Sequence, residues 1–205
     1  MKKALAIAFI TAMAGTALAQ SGARPAKAGD VHVYSIEQRA DRLRHEETIT
    51  VQAAEGGQLK TRHVRSDRDA ALEGLYGTDW SVVTSGTSGA HYEPAIRMLP
   101  ATLQVGSSWE GISQLRAANG SLSRLKLESK VAAREKTKTP AGEFDTFRIE
   151  SSGYLSGLSW QGGFALTQKV WYAPAIDRIV RTEYREQRAL GTDNVTELTQ
   201  FRPAD

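Results

Sequence analysis

The chain has 205 residues, of which 40% are hydrophobic and 24% are charged, and it contains no cysteine. This length and composition are typical of one globular domain and exclude a collagen-like or disordered chain. The lack of cysteine excludes disulfide scaffolds, thiolate-bound zinc or iron–sulfur sites and cysteine nucleophiles. The formal net charge of +3 would suggest weak affinity for nucleic acid if the whole chain were retained.

The first 19 residues have the three parts of a secretory signal peptide, namely a positive start, an apolar run and a small-residue exit. The apolar run covers residues 4–14, and Ala17-Leu18-Ala19 precedes Gln20. This run is shorter than the ~20 residues needed to span a bilayer, and no later stretch approaches that length. No cysteine follows it that could carry a lipid. We therefore predict a signal peptide over residues 1–19, a mature protein in the periplasm or secreted, and no transmembrane segment after cleavage.

Removal of the predicted signal peptide changes the interpretation of the charge. Residues 1–19 contain two lysines and no acidic residue, so the net charge falls from +3 to +1. A protein that binds phosphate backbones needs clustered Lys and Arg side chains. The one basic stretch, residues 126–138, is interrupted by Glu128 and Glu135 and is typical of a solvated strand face. We expect no nucleic-acid partner.

The domain organisation follows from composition and periodicity. Residues 20–30 are small, polar or basic and lack apolar periodicity, which predicts a flexible leader. From Val31 onward the dominant period is 2, so we predict one β-rich domain over residues 31–205. In residues 43–53 the odd positions carry every aliphatic side chain and the even positions are polar up to Gln52, which is typical of a strand with one buried face.

Turn signals separate these strand patterns. Gly56-Gly57 and Asn119-Gly120 are typical of tight hairpin turns. Only residues 66–75 resemble a helix, with Asp67 or Asp69 as a potential cap. We therefore predict a mostly β fold: a curved antiparallel sheet or half-barrel of about nine strands, with one or two short helices. Besides residues 43–53, 59–66 and 125–133, the predicted strands are 80–84, 109–116, 144–151, 164–172, 178–187 and 195–201.

Three segments in the second half of the chain carry a family resemblance. They contain the motifs Leu-x-Val-Gly-x-x-Trp (residues 103–109), Pro-Ala-Gly-x-Phe (140–144) and Trp-Tyr-x-Pro-x-x-x-Arg (171–178). In these motifs the chain resembles a widespread family of uncharacterised bacterial exported proteins and lipoproteins, over about residues 99–201. The resemblance implies a curved antiparallel sheet, similar in outline to the half-barrel of lipoprotein carriers, with no established reaction. The lipid-bearing cysteine of the lipoprotein members is missing, so membrane anchoring is not implied.

His45 and Glu47 are the first candidate binding residues. They lie two residues apart on one strand face, so they would line a concave pocket or contribute two metal ligands. The alternative, which the pattern favours, is that the buried face ends toward the start of the strand and both side chains reach solvent. A hairpin centred on Gly56-Gly57 would place His63 opposite Thr50, away from His45. Because no third ligand is visible, we predict no metal and no cofactor.

The segment 153–163 is the second candidate. Tyr154, Leu155, Leu158 and Trp160 lie among four glycines and could form a mobile lip over an apolar cavity. The alternative is a long hairpin tip whose Leu158 and Trp160 pack on their own domain.

No motif indicates catalysis. The closest approach to a serine nucleophile elbow, residues 86–89, lacks the Gly-x-Ser-x-Gly spacing and reads as a loop. We therefore predict a non-enzymatic exported β domain that binds an apolar or amphipathic envelope molecule, such as a lipid. The alternative is an adaptor that contacts an envelope protein through a sheet edge or through residues 154–160. A hydrolase or metal-dependent enzyme is the third hypothesis.

Overall fold

The computed structural model describes residues 24–205, and the predicted signal peptide lies outside them. Twelve antiparallel strands form one closed barrel in which each strand pairs with its neighbours along the chain and the last strand pairs with the first. The strands are β1 (Val31–Gln38), β2 (Arg44–Glu55), β3 (Gln58–Arg65), β4 (Leu72–Gly77), β5 (Val82–Thr84), β6 (His91–Ile96), β7 (Ser108–Arg116), β8 (Leu122–Thr139), β9 (Gly142–Gly157), β10 (Gly163–Ala173), β11 (Arg178–Gln187) and β12 (Asp193–Arg202).

The predicted curved sheet or half-barrel with one or two short helices is wrong. Strand β1 forms ladders with both β2 and β12, so the sheet closes on itself. Period-2 patterning shows which side chains share a face, but it carries no information on whether the first and last strands meet. A single 3-10 turn, Pro174–Ile176, is the only helical segment among residues 24–205.

The helix predicted over residues 66–75 is absent as well. This segment contains a turn, a bend and the start of β4. The Asp67 carboxylate accepts two hydrogen bonds from the Arg65 guanidinium, at 2.9 and 2.7 Å, instead of capping a helix. The connection between β3 and β4 is also too short to offset the cost of helix nucleation.

The strand predictions succeed where alternation is strong. The predicted strand 178–187 coincides with β11, whereas β8 and β9 extend well beyond their predicted limits. Along β8 the buried Leu125, Leu127 and Val131 alternate with exposed Lys126 and Lys130. Strands β1, β4 and β6 were not among the predicted strands. Strand β6 contains Pro94 and shows no regular alternation of burial.

The two ends of the barrel differ in their contents. We call the end with the β5–β6 loop (residues 85–90) the upper end, and the end with both chain termini the lower end. A cluster of large side chains fills the lower end, and Met98, Leu103, Trp109 and Phe147 pack around it. Its buried members are Leu59, Trp80, Leu99, Val131, Ile149, Val170 and Tyr172.

Residues 24–30, the described part of the predicted leader, pack against the lower end. The Asp30 carboxylate is buried, pairs with Arg24 at 2.8 Å and accepts the backbone N–H of Ala204 at 2.8 Å. Burial alone would raise the pKa of Asp30, but hydrogen bonds from Arg24 and from backbone N–H groups outweigh it and lower the pKa to about 2. These bonds join the segment before β1 to the C-terminal residues.

The three motif segments occupy structural positions. The turn at Pro140 and Ala141 joins β8 to β9, and the Ala141 N–H donates to Leu198 O of β12 at 3.2 Å. Trp171 and Tyr172 are both buried but belong to different clusters, because successive side chains of a strand point to opposite faces. A β-bulge at this point also changes the register with β11. The motifs therefore shape the long β8–β9 hairpin and the lower end of the barrel.

Candidate functional site

A cavity of about 520 Å³ lies inside the barrel. Barrel diameter grows with strand number, and side chains fill the interior at about eight strands, so twelve strands leave space unless large residues occupy it. Large residues occupy the lower end, whereas Ser85, Thr87 and Ser88 of the β5–β6 loop border the cavity at the upper end. Its volume lies within the range of roughly 300–1,000 Å³ that is usual for small-molecule sites.

The cavity has two chemically different walls. The apolar wall consists of Leu125, Leu127, Leu155, Phe164 and Leu166, on β8, β9 and β10. The polar wall consists of Tyr34, Glu47, His63 and Tyr76, on β1 to β4. An interior of this kind matches a molecule with an apolar part and a polar part.

Glu47 and His63 meet on the polar wall. Glu47 Oε1 lies 3.2 Å from His63 Nδ1, and Thr87 Oγ1 donates to Glu47 Oε2 at 3.3 Å. The prediction that His63 lies opposite Thr50 is wrong. A β-bulge between Val51 and Ala53 moves the pairing by one residue, so that His63 faces Ile49 and shares the inward face with Glu47.

The two candidates on β2 separate in the structure. Glu47 is buried and borders the cavity, so its predicted solvent exposure is wrong. The His45 side chain is partly exposed at the upper end of β2, where its Nδ1 lies 3.8 Å from Asp67 Oδ2. The cavity therefore includes Glu47 and excludes His45. The bulge that brings His63 to Glu47 has no evident sequence signal.

The β5–β6 loop lies directly on the His63 imidazole. A Cβ atom added at Gly86 would stand 2.0 Å from His63 Cδ2, so only glycine fits there without movement. His63 Nε2 contacts Thr61 Oγ1 at 2.9 Å, which completes a carboxylate, imidazole and hydroxyl series in the order of a serine-hydrolase triad. Thr61, however, is fully buried and does not border the cavity. Its hydroxyl is therefore not presented to a bound molecule.

Arg178 is the last residue of the Trp-Tyr-x-Pro-x-x-x-Arg motif, and the motif gave no sign of a binding role. It borders the cavity, although just 8% of the residue is exposed. Its Nε donates to the Tyr34 hydroxyl at 2.9 Å, and its guanidinium carbon lies 4.1 Å from the centroid of the Trp80 ring. Among residues 24–205 no carboxylate forms an ion pair with it.

The candidates in segment 153–163 point in different directions. Strand β9 continues to Gly157, so Leu155 faces the cavity while Tyr154, half exposed, faces outward. Leu158, at the hairpin tip, is 48% exposed. The Trp160 Nε1–H donates to Ser123 Oγ at 3.0 Å, so this indole is held by its own domain.

Burial also shifts several pKa values inside the barrel. Burial raises the pKa of Tyr34 and Tyr76, and it raises that of Tyr92 to about 12, so these hydroxyls stay neutral at physiological pH. His32 stacks on Phe201 with 4.8 Å between ring centroids. Burial, followed by the positive charge of Arg178, lowers the pKa of His32 to about 3.

Residues 24–205 provide neither a cluster of metal ligands nor a membrane-spanning helix. No group of three or more His, Asp or Glu side chains in this part of the chain is arranged to hold a metal ion. The same residues include no helix long and apolar enough to cross a membrane.

Comparison with known proteins identifies the fold. No protein-family model and no curated protein matches the sequence. Among solved structures, a candidate lipoprotein from Parabacteroides distasonis ATCC 8503 is 12% identical, with a TM-score of 0.59 over 87% of this chain and 97% of that one. A candidate exported protein with a YmcC-like fold from Bacteroides fragilis NCTC 9343 is 13% identical, with a TM-score of 0.60 and the same coverage. At these identities the likeness establishes the fold, and the chain is similar in fold to both proteins.

Proposed function

We propose that the protein is exported and that its barrel binds an apolar or amphipathic molecule in the interior cavity without converting it chemically. The unfilled cavity of about 520 Å³ between an apolar and a polar wall carries this proposal. A filled interior would have argued against it, since small-molecule sites need a concave, largely apolar space with a few polar groups.

Export is supported by two independent features. The first 19 residues have the charge, apolar run and small-residue exit of a signal peptide. The two solved structures of similar fold are described as an exported protein and a lipoprotein. We therefore place the mature protein in the cell envelope or outside the cell.

Binding without conversion is the simpler role for these side chains. The Thr61 hydroxyl that ends the Glu47–His63–Thr61 series does not border the cavity. The Tyr76 hydroxyl, which lies 3.5 Å from His63 Nε2, accepts the Gly86 N–H and so also supports the β5–β6 loop. Each bond of the series also satisfies a buried polar group, and such groups are costly when left unpaired. We assign the series to positioning the polar wall and the β5–β6 loop.

Mass spectrometry of small molecules that co-purify with the mature protein tests the binding proposal. The variant Leu127→Trp places a large ring into the cavity, and Lys126→Trp puts the same ring on the adjacent outward position. We expect the wild type and Lys126→Trp to retain a lipid-like molecule and to bind the uncharged dye N-phenyl-1-naphthylamine. Leu127→Trp should lose both.

The midpoint of thermal unfolding shows whether each variant is folded before binding is compared. Equal dye binding by folded Leu127→Trp and Lys126→Trp would place the dye outside the cavity and contradict the proposal. Failure of the wild type to bind any apolar probe, together with an empty mass spectrum, would contradict it more broadly.

An adaptor role is the second candidate. Tyr154 and Ile112 are each about half exposed on outward positions of β9 and β7, and both are paired with Lys126 of β8 between them. Leu158 adds exposed apolar surface at the hairpin tip. The sheet-edge route to a partner is not available in the barrel, because each strand is paired on both sides. Crosslinking from position 154 in cells would capture a protein if this face docks a partner.

A further inference from the structure

Arg178 is a buried cation with no acidic partner among residues 24–205. Buried charged side chains are normally paired, because desolvation of an isolated charge costs several kcal/mol or more. Its Nε–H bonds to the Tyr34 hydroxyl, and its guanidinium stacks on Trp80. Neither contact supplies a negative charge. A buried, unpaired guanidinium of this kind would form a favourable ion pair with an anionic group of a bound ligand.

Asp177, which precedes Arg178 in the chain, and Glu47 of the polar wall are both engaged elsewhere. Asp177 Oδ1 accepts the Trp80 Nε1–H at 3.0 Å and the Tyr172 hydroxyl at 2.6 Å. Glu47 is held by His63 and by Thr87 on the polar wall. His32, whose pKa is about 3, is neutral at physiological pH. Residues 24–205 therefore supply no counter-ion in contact with Arg178.

The guanidinium is held in a fixed orientation. The Tyr34 hydroxyl accepts a hydrogen bond from Arg178 Nε and donates one to the backbone oxygen of Ile179 at 2.8 Å. The hydroxyl that holds Arg178 Nε is therefore itself fixed to the backbone. The guanidinium carbon of Arg178 also lies over the Trp80 ring, 4.1 Å from the ring centroid. Neither terminal nitrogen of Arg178 has a protein partner within residues 24–205, and the residue borders the cavity. Two parallel N–H donors in one plane match a carboxylate or a similar oxyanion.

The position of Arg178 defines how a ligand would lie. Arg178 begins β11 near the lower end, and Glu186, eight residues later on the same strand, borders the cavity near the upper end. At about 3.4 Å per residue the two positions are at most about 27 Å apart along the strand, because a β-bulge after Ile179 shortens the distance. Leu155, Phe164 and Leu166 of the apolar wall lie toward the upper end. A linear chain therefore has room along this wall when its head is at Arg178.

We propose that the cavity takes a single-chain amphiphile with an anionic oxygen headgroup, which binds head-first with the oxyanion on Arg178 and the chain along the apolar wall. This inference rests on the proposed binding function and specifies the ligand class. Long-chain carboxylates are the simplest members of that class, because two carboxylate oxygens match the two terminal nitrogens.

Isothermal titration calorimetry with dodecanoate and dodecanol tests the inference, because the two probes share a chain length and differ in the charged head. We expect the wild type to bind dodecanoate at least tenfold more tightly than dodecanol. In Arg178→Met, which keeps an unbranched side chain but removes the charge, the two affinities should become equal. The affinity for dodecanol should stay within about threefold of the wild-type value.

Different failures have different meanings. Equal binding of both probes by the wild type would overturn the role of Arg178 while leaving the cavity as an apolar site. Binding of neither probe, with no uptake of N-phenyl-1-naphthylamine, would overturn the proposed function itself. If Arg178→Met does not fold, Tyr34→Phe removes the support of Nε and should reduce the preference for dodecanoate. An unchanged preference in that folded variant would contradict the inference.

Discussion

Replacement of His32 by Phe should flatten the pH dependence of stability between pH 7.5 and pH 5. His32 is 1% exposed, and neither ring nitrogen has a hydrogen-bond partner among residues 24–205. Burial and the charge of Arg178 lower its pKa to about 3, against 6.5 for an unperturbed histidine. The imidazole is thus neutral in the folded protein but becomes charged in the unfolded chain as the pH falls below 6.5.

The sign and size of the effect follow from proton linkage. Because the folded pKa is the lower one, protons bind preferentially to the unfolded chain, so the stability is fully present above pH 6.5 and is lost progressively toward pH 3. At pH 5 the protonated form of His32 outnumbers the neutral form roughly thirtyfold in the unfolded chain. This protonation stabilises the unfolded chain, so the free energy of unfolding is about 2 kcal/mol lower at pH 5 than at pH 7.5. The full difference between the two pKa values corresponds to an upper bound of about 5 kcal/mol.

Urea unfolding followed by tryptophan fluorescence at the two pH values measures this loss. For each variant we compare the unfolding free energy at pH 7.5 with that at pH 5. Any effect of the new Phe side chain on packing beside Phe201 is the same at both pH values, so it cancels in this difference. We expect His32→Phe to lose about 2 kcal/mol less than the wild type. His91→Gln, which alters an exposed histidine, serves as the control. An equal loss in His32→Phe and the wild type would refute the assignment of a buried neutral imidazole.

Three further predictions concern the buried polar contacts. Asp30→Asn should destabilise the protein by about 2 kcal/mol at pH 7. The difference from the wild type should shrink as the pH falls from 3.8 to about 2, because Asp30 itself then becomes protonated. Urea unfolding at a series of pH values measures this difference. Gly86→Ala should lower the thermal midpoint, because its Cβ meets the His63 ring. Glu47→Leu should lower the free energy of unfolding, measured in urea, by about 1–3 kcal/mol. Glu47→Gln should lower it less, because the glutamine side chain keeps an oxygen that accepts the Thr87 hydroxyl.

Each of these predictions has an internal control. Combining Gly86→Ala with His63→Ala should recover much of the loss, because the clash is with the imidazole; full additivity would contradict that contact. A constant Asp30→Asn effect from pH 7 down to pH 2 would argue against a carboxylate of low pKa. Equal costs for Glu47→Leu and Glu47→Gln would show that the oxygen at this position contributes nothing.

Local periodicity was sufficient to identify most of the strands. Alternation along β8 and β11 is a property of neighbouring residues, because successive side chains of a strand point to opposite faces. The turns at Gly56-Gly57 and at Gly120 could also be predicted from local sequence. Each turn needs a residue with positive φ, which glycine adopts readily. The short β6, with Pro94 and irregular burial, lacks such a pattern and was missed.

The candidate site depended on information that is not local. Glu47 was a candidate because it shares a strand face with Ile49 and Val51, although solvent exposure was the favoured interpretation. Its partner His63 was placed one residue out of register. The β-bulge between Val51 and Ala53 decides that register, and it follows from how two strands fit together. Leu155 was identified, whereas its neighbour Tyr154 faces outward because the strand continues through the glycines.

The sequence by itself determined the β class, most of the strands and which of their side chains share a face, because all three depend on period-2 patterning within a few residues. The tertiary structure alone decided that β1 meets β12, that twelve strands enclose an unfilled space, and that Arg178 faces this space with no acidic partner in the described part of the chain. Closure, cavity volume and charge pairing depend on contacts between residues far apart in the chain, such as Arg178 with Tyr34 and Trp80. No local pattern encodes those distances.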